Sequence, residues 1–131
     1  MTLADRHVLG LLSVRNELAE FQRVGDTDAR PLGLSHVQHH VLLSLRGHPH
    51  PAGPRVGDVA SALGIAGPSA VELVSRMAAA GLLQRLPDAD DRRATRLRLT
   101  ALGERLMHEL GAGHLPRLRG LAARAVTLLA E

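Results

Sequence analysis

The stretch Gly81-Leu82-Leu83-Gln84-Arg85-Leu86-Pro87-Asp88-Ala89-Asp90-Asp91-Arg92-Arg93-Ala94-Thr95-Arg96-Leu97-Arg98-Leu99-Thr100 decides the fold. A helical pattern stops at Gly81 and a short apolar run follows. A polar loop of Pro, Asp and Arg then separates that run from leucines alternating with arginines. Alternation at period two reads as a strand, with Leu97 and Leu99 on one face and Arg96 and Arg98 on the other. Thr100 opens a further helix. The segment is therefore a β-hairpin with a charged tip, and Arg92, Arg93, Arg96 and Arg98 fall within seven residues that contain no acid.

Upstream of the hairpin, residues 56–63 and 69–80 are short amphipathic helical patterns joined by Gly64-Ile65-Ala66-Gly67-Pro68. A small Ala60 where the helices cross, Gly64 for the turn, and Val59, Leu63 and Ile65 to lock the pair meet the steric needs of a helix-turn-helix. In the second helix Val71, Val74 and Met77 are expected on the buried face. Ser69, Glu72, Ser75, Arg76 and Ala79 then form a short polar outer face of the kind that enters a DNA groove. A basic hairpin directly after this unit is the wing of a winged-helix DNA reader.

Working outward, Ser35-His36-Val37-Gln38 is a capping-box signature, so a helix starts at Ser35 with Val37, Val41, Leu42 and Leu45 on its buried face. Three Pro and two Gly in residues 46–54 end it. Residues 3–23 form a long helix whose seam (Ala4, His7, Leu11, Val14, Leu18, Phe21) is spaced alternately by three and four. Such a seam packs either on the chain's own core or against a second subunit. Gly25, Asp26, Asp28 and Pro31 are expected to break this helix within residues 24–33. After the hairpin, a helix from Thr100 to about Leu110 is expected to stop at Gly111-Ala112-Gly113. A final helix then starts with Pro116 in its first turn and carries Leu118, Leu121 and Ala125.

Composition narrows the function. At 131 residues the chain reads as one domain, residues 1–131. It has no Cys, which removes disulfides and thiol chemistry. No apolar run approaches the ~18 residues of a membrane span, so no membrane partner and a cytoplasmic location are expected. The net charge is only +3, and all sixteen basic residues are Arg. The high pI of 11.2 therefore overstates how basic the chain is. A single aromatic, Phe21, offers no platform for stacking splayed bases, which favours duplex DNA over single strands. No phosphate loop, nucleophile elbow or metalloprotease motif is present, so an enzyme is not expected, nor is a cofactor.

Three segments together resemble the MarR family of winged-helix transcription regulators. They are Leu34-Ser35-x-x-Gln38-x-x-Val41-Leu42-x-x-Leu45; Val59-Ala60-x-x-Leu63-Gly64-Ile65 running into Leu73-Val74-Ser75-Arg76-Met77 and Gly81-Leu82-Leu83-x-Arg85; and Asp88-x-x-Asp91-Arg92-Arg93 followed by Leu97-x-Leu99-Thr100-x-x-Gly103. The resemblance implies a mainly α fold with a β-hairpin wing. Residues 34–100 would be the DNA-binding part, and residues 1–33 and 101–131 dimerisation helices using Leu11, Val14, Leu18, Leu118, Leu121 and Ala125. It also implies a homodimer on a pseudo-palindromic operator, most simply a repressor, with a small-molecule effector between the dimer helices and the reading heads. Ser69, Glu72, Ser75 and Arg76 would sit at the major groove. Arg92, Arg93 and Arg96 would lie at the wing, and Asp88 or Asp91 would pair with Arg76 or Arg85. The chain departs from the family pattern at Val71, Glu72 and Asp90, each of which weakens its pull on phosphates.

Two other readings compete. Winged helices also serve as protein-binding modules without DNA. His36 and His40, four apart on one helix, have a spacing that suits a metal ion, with Glu17, Glu20 or Glu109 as a carboxylate partner. The absence of Cys and of a metalloprotease pattern favours solvated or core-edge histidines.

Overall fold

The computed structural model describes residues 2–130, so the two ends of the expected domain, Met1 and Glu131, lie outside it. The elements are α1 (Asp5–Ala29), a 3-10 turn (Arg30–Leu32), α2 (His36–Gly47), α3 (Val56–Leu63), α4 (Gly67–Ala79), β1 (Leu83–Pro87), β2 (Thr95–Leu99) and α5 (Ala101–Leu129).

The capping box forms as its residues dictate. Ser35 Oγ accepts from the Gln38 N–H at 3.2 Å, and the Gln38 side chain accepts from the Ser35 N–H at 3.0 Å. From α2, Val41, Leu42 and Leu45 point inward and meet Val59 of α3, Val74 and Met77 of α4, Leu83 and Leu97 of the hairpin, and Met107 and Leu110 of α5 in one core. Each such side chain contributes ~1.5–3 kcal/mol on burial. The hairpin thus shares one core with both helices of the helix-turn-helix, which fixes the wing beside the second of them. Gly64 makes the turn between those helices in the left-handed region, at φ 66°.

β1 and β2 pair antiparallel, with Leu83 opposite Leu99 and Arg85 opposite Leu97. The free edge of β2 is also occupied, since the Leu97 N–H donates to the Pro54 carbonyl at 2.8 Å. The residue before that proline is Gly53, at φ +87°, and a Cβ there would lie 2.1 Å from the Leu97 carbonyl oxygen. The loop after α2 is thereby laid along the wing.

Both long helices differ from expectation, and for one reason. α1 does not break at Gly25 but continues to Ala29. Gly25 is buried where α5 crosses, with the His114 ring 3.3 Å from the site of its missing Cβ, so the glycine provides closeness instead of a turn. α5 is likewise a single helix through Gly111, Gly113 and Pro116. Glycine costs about 1 kcal/mol in a helix, and proline more because it removes one N–H bond. Packing of α5 on α1 overrides that preference, with Leu121 buried between them and Arg124 Nη2 donating to Glu17 Oε2 at 2.6 Å. The described residues therefore form five α-helices, where six were expected from sequence.

Candidate nucleic-acid interface

The outer face of α4 carries Ser69, Glu72, Ser75, Arg76 and Ala79, all exposed. Val71 corrects the sequence reading: it is 52% exposed, and Ala70 takes its place in the core. Neither arginine at this face is unengaged. Arg76 Nη2 meets Glu72 Oε1 at 2.5 Å, one turn back along the helix, and Arg85 Nη2, reaching over from β1, donates to Ser75 Oγ at 2.8 Å.

At the wing tip the chain turns by a local device. Asp91 Oδ1 accepts from the Arg93 N–H at 2.9 Å, an Asx turn that leaves Arg92 and Arg93 exposed. Among the described residues neither guanidinium has a carboxylate partner within salt-bridge distance. Arg96 has a different position from that expected. Its side chain is only 11% exposed, Nε donates to Asp88 Oδ2 at 2.9 Å and Nη1 to the Gly53 carbonyl at 3.1 Å. It braces the wing against the preceding loop and does not line the outer edge. Arg98, on the same face of β2, stays exposed.

Asp88 is the centre of this brace, and its partners correct the pairing implied by the resemblance. They are Arg55 at 2.8 Å and Arg96, not Arg76 or Arg85, while Asp91 lies 3.8 Å from Arg55. Asp88 Oδ1 also accepts from the Asp90 N–H at 3.0 Å. That backbone N–H, then the Arg55 and Arg96 guanidiniums, hold the carboxyl at a pKa of about 2 against the opposing effect of its burial. Arg55 was absent from the residues singled out in sequence. The signal that could have found it is the Gly53-Pro54-Arg55 step, which leads the loop off the wing and into α3.

A depressed carboxyl pKa has a definite sign. Asp88 binds its proton more weakly folded than unfolded, so its contribution is full above about pH 4 and is lost as pH falls toward about 2. Denaturant midpoints followed by circular dichroism should therefore fall through this acid window. In Asp88→Asn the midpoint at neutral pH should be lower and this part of the acid dependence missing. An acid limb identical to that of the unsubstituted chain contradicts the assignment.

The residues expected at a subunit interface fall into two groups. Leu11, Leu18 and Leu118 are 50%, 45% and 47% exposed, although apolar, whereas Val14 and Ala125 are half-buried and Leu121 is buried within the chain. Val8 and Leu12 on α1 and Leu115 and Val126 on α5 are exposed as well.

His36 and His40 do not assemble a metal centre. His36 faces Asp26, whose carboxylate accepts from the His36 N–H at 3.2 Å, and among the described residues no group of three His, Cys, Asp or Glu is placed to hold an ion. Both nonetheless border a cavity of about 380 Å3 enclosed by α1, α2 and α5 and lined by Phe21, Leu43, Leu115 and Leu118. On its floor the His39 and His114 rings meet edge to face at 5.3 Å. Burial, with some repulsion from His114 and His40, pushes the His39 pKa down, while its contact with the Met107 carbonyl at 3.4 Å opposes this. His114 Nε2 is buried, with no hydrogen-bond partner among the described residues and the Asp28 carboxylate 3.8 Å away. Among the described residues no helix is long and apolar enough to cross a membrane.

A helix-turn-helix with an arginine-tipped hairpin locked onto its core defines a winged helix-turn-helix protein. Residues 32–94 match the model of the MarR family. This segment, just under half of the chain, is similar to the MarR family. Solved structures share the fold. AbsC, a MarR family transcriptional regulator from Streptomyces coelicolor, is 21% identical over 92% of this chain and 81% of its own, with a TM-score of 0.73. MepR from S. aureus in complex with DNA is 22% identical over 94% and 85%, at 0.72. The transcriptional regulator Tm0710 from Thermotoga maritima is 26% identical over 83% and 75%, at 0.66. No curated protein matches the chain in sequence.

Proposed function

We infer that this chain is a member of the MarR family and regulates transcription as a homodimer that binds a pseudo-palindromic duplex operator, repressing when bound and released by a small-molecule effector. The observation that carries the reading is the packing on one core of an exposed polar helix, α4, and a wing whose tip residues Arg92 and Arg93 have no carboxylate partner among the described residues. In each subunit α4 would enter a major groove and the wing arginines an adjacent minor groove or its phosphates, where arginine is favoured by narrow width and bidentate geometry. The DNA-bound state of the similarly folded MepR supports this use of the fold. Such a reader works beside chromosomal DNA, in the cytoplasm.

Exposed leucines on α1 and α5 support the dimer, since covering such apolar side chains is what a second subunit would do. The cavity between α1, α2 and α5 is the place for an effector. Its lining is largely apolar, and the imidazoles of His36, His39, His40 and His114 give it polar anchors. It also lies where the helices of the arm meet the reading head, so an effector there can bias the spacing of the two heads. A coupling of ~1–3 kcal/mol would weaken operator binding roughly fivefold to a hundredfold.

Arg93→Ala tests the wing. If Arg93 contacts a phosphate, the substitution should weaken binding to all duplexes alike and flatten the dependence of log affinity on log salt by about one unit. Unchanged affinity and slope in an anisotropy titration contradict that role. A protein-binding module in place of a DNA reader would show no such salt dependence in the unsubstituted chain.

A further inference from the structure

We propose that Glu72 is a specificity-determining residue: once Arg76 leaves it for a guanine, Glu72 accepts from a neighbouring cytosine, so that the pair reads two base pairs where Arg76 alone would read one. This rests on α4 being the DNA-reading helix. The observation is the ion pair itself. Arg76 and Glu72 are 70% and 67% exposed, on the centre of the outer face, and hold each other at 2.5 Å. Ser75, between them in sequence, is already the acceptor for Arg85. Both arginines at this face are thus folded back onto α4 while no DNA is bound.

Arg76 can reach a guanine N7/O6 edge only by leaving Glu72. The carboxylate is then stranded in a groove walled by phosphates, where an unpaired negative charge is repelled. The major-groove partner that relieves it is an exocyclic amino group with no acceptor beside it, which cytosine presents at N4; adenine also carries one at N6, but its neighbouring N7 acceptor repels a second carboxylate oxygen. Guanine presents acceptors there and thymine an acceptor and a methyl group, so both leave the carboxylate unsatisfied. Positions four apart on a helix are separated by about 6 Å along its axis, which corresponds to about one to two base pairs of duplex. The pair Glu72–Arg76 therefore selects a guanine with a cytosine amino group close beside it in each half-site. Glu72 lowers affinity for every other sequence by keeping Arg76 occupied.

The test needs no known operator. A pool of random duplexes is enriched for binding to the full chain, and to its Glu72→Ala, Glu72→Gln and Arg76→Ala variants, and the bound sequences are compared. Both residues are exposed, so none of these changes disturbs the core. The unsubstituted chain should enrich the guanine together with the cytosine. Glu72→Ala should keep the guanine and lose the cytosine, with discrimination at that base pair falling from about tenfold or more to about twofold or less. Glu72→Gln should move the preference toward adenine, which a carboxamide reads at N6 and N7. Arg76→Ala should lose the guanine. A Glu72→Ala profile identical to that of the unsubstituted chain overturns the proposal while leaving DNA binding intact. No enrichment of any duplex by the unsubstituted chain overturns the DNA-binding reading, and the proposal with it.

Discussion

Gly103→Ala should destabilise the chain by about 3 kcal/mol or more, the upper end of what overpacking does. A Cβ at this buried position would lie 2.1 Å from the Leu82 carbonyl oxygen and 3.1 Å from its carbon. Neither is a flexible side-chain end that can step aside. The same carbonyl accepts from the Thr100 N–H at 3.1 Å, and Thr100 Oγ caps α5 by accepting from the Gly103 N–H at 3.1 Å. The first turn of α5 is thus seated directly on the residue that leads into β1, and a methyl group there pushes the long helix off the reading head. Gly111→Ala on the same helix is the control. Its Cβ would meet nothing within 4 Å, so the change should stabilise by about 0.5–1 kcal/mol through helix propensity. Urea unfolding followed at 222 nm checks both. Equal effects of the two substitutions contradict the account of how α5 is joined to the head.

Leu11→Glu should have the largest effect on DNA binding of any change outside α4 and the wing. The side chain is 50% exposed in the single chain, so the substitution should cost the isolated fold little. In a two-fold interface it appears twice and places two unpaired carboxylates in an apolar seam. The dimer should fall apart to monomers by light scattering. A lone subunit then binds one half-site without the effective concentration that a linked partner supplies, which lowers operator affinity by about a hundredfold or more. A variant that stays dimeric and binds normally shows that the apolar surface around Leu11 is used for something else.

Most of the reading head was legible in sequence because its signals are local. Ser35 and Gln38 form their box, Gly64 turns the helix-turn-helix, Thr100 caps α5, and the Leu97/Leu99 alternation becomes β2 opposite β1. Helix ends set by tertiary contact were not legible. Gly25 and Gly113 look identical as helix breakers, yet one is a contact point for His114 and the other meets no neighbour, and both sit inside helices. At the interface, the composition of the α4 face could be read from its spacing, but not its internal pairing. Nor could sequence tell that Arg96 and Arg98, alike in the alternation, diverge into a brace on Asp88 and an exposed side chain, since that depends on Arg55 arriving from 33 residues away.

The central claim is that two copies of this chain together read duplex DNA. Its most direct test is a fluorescence anisotropy titration of a labelled duplex from the region upstream of the chain's own coding sequence, at about 50 mM and 200 mM salt, with stoichiometry read at saturation. Two chains should bind per duplex, with an affinity that drops by about an order of magnitude or more between the two salt concentrations. Saturation at one chain per duplex, an affinity indifferent to salt, or no binding at the lower salt would each contradict it.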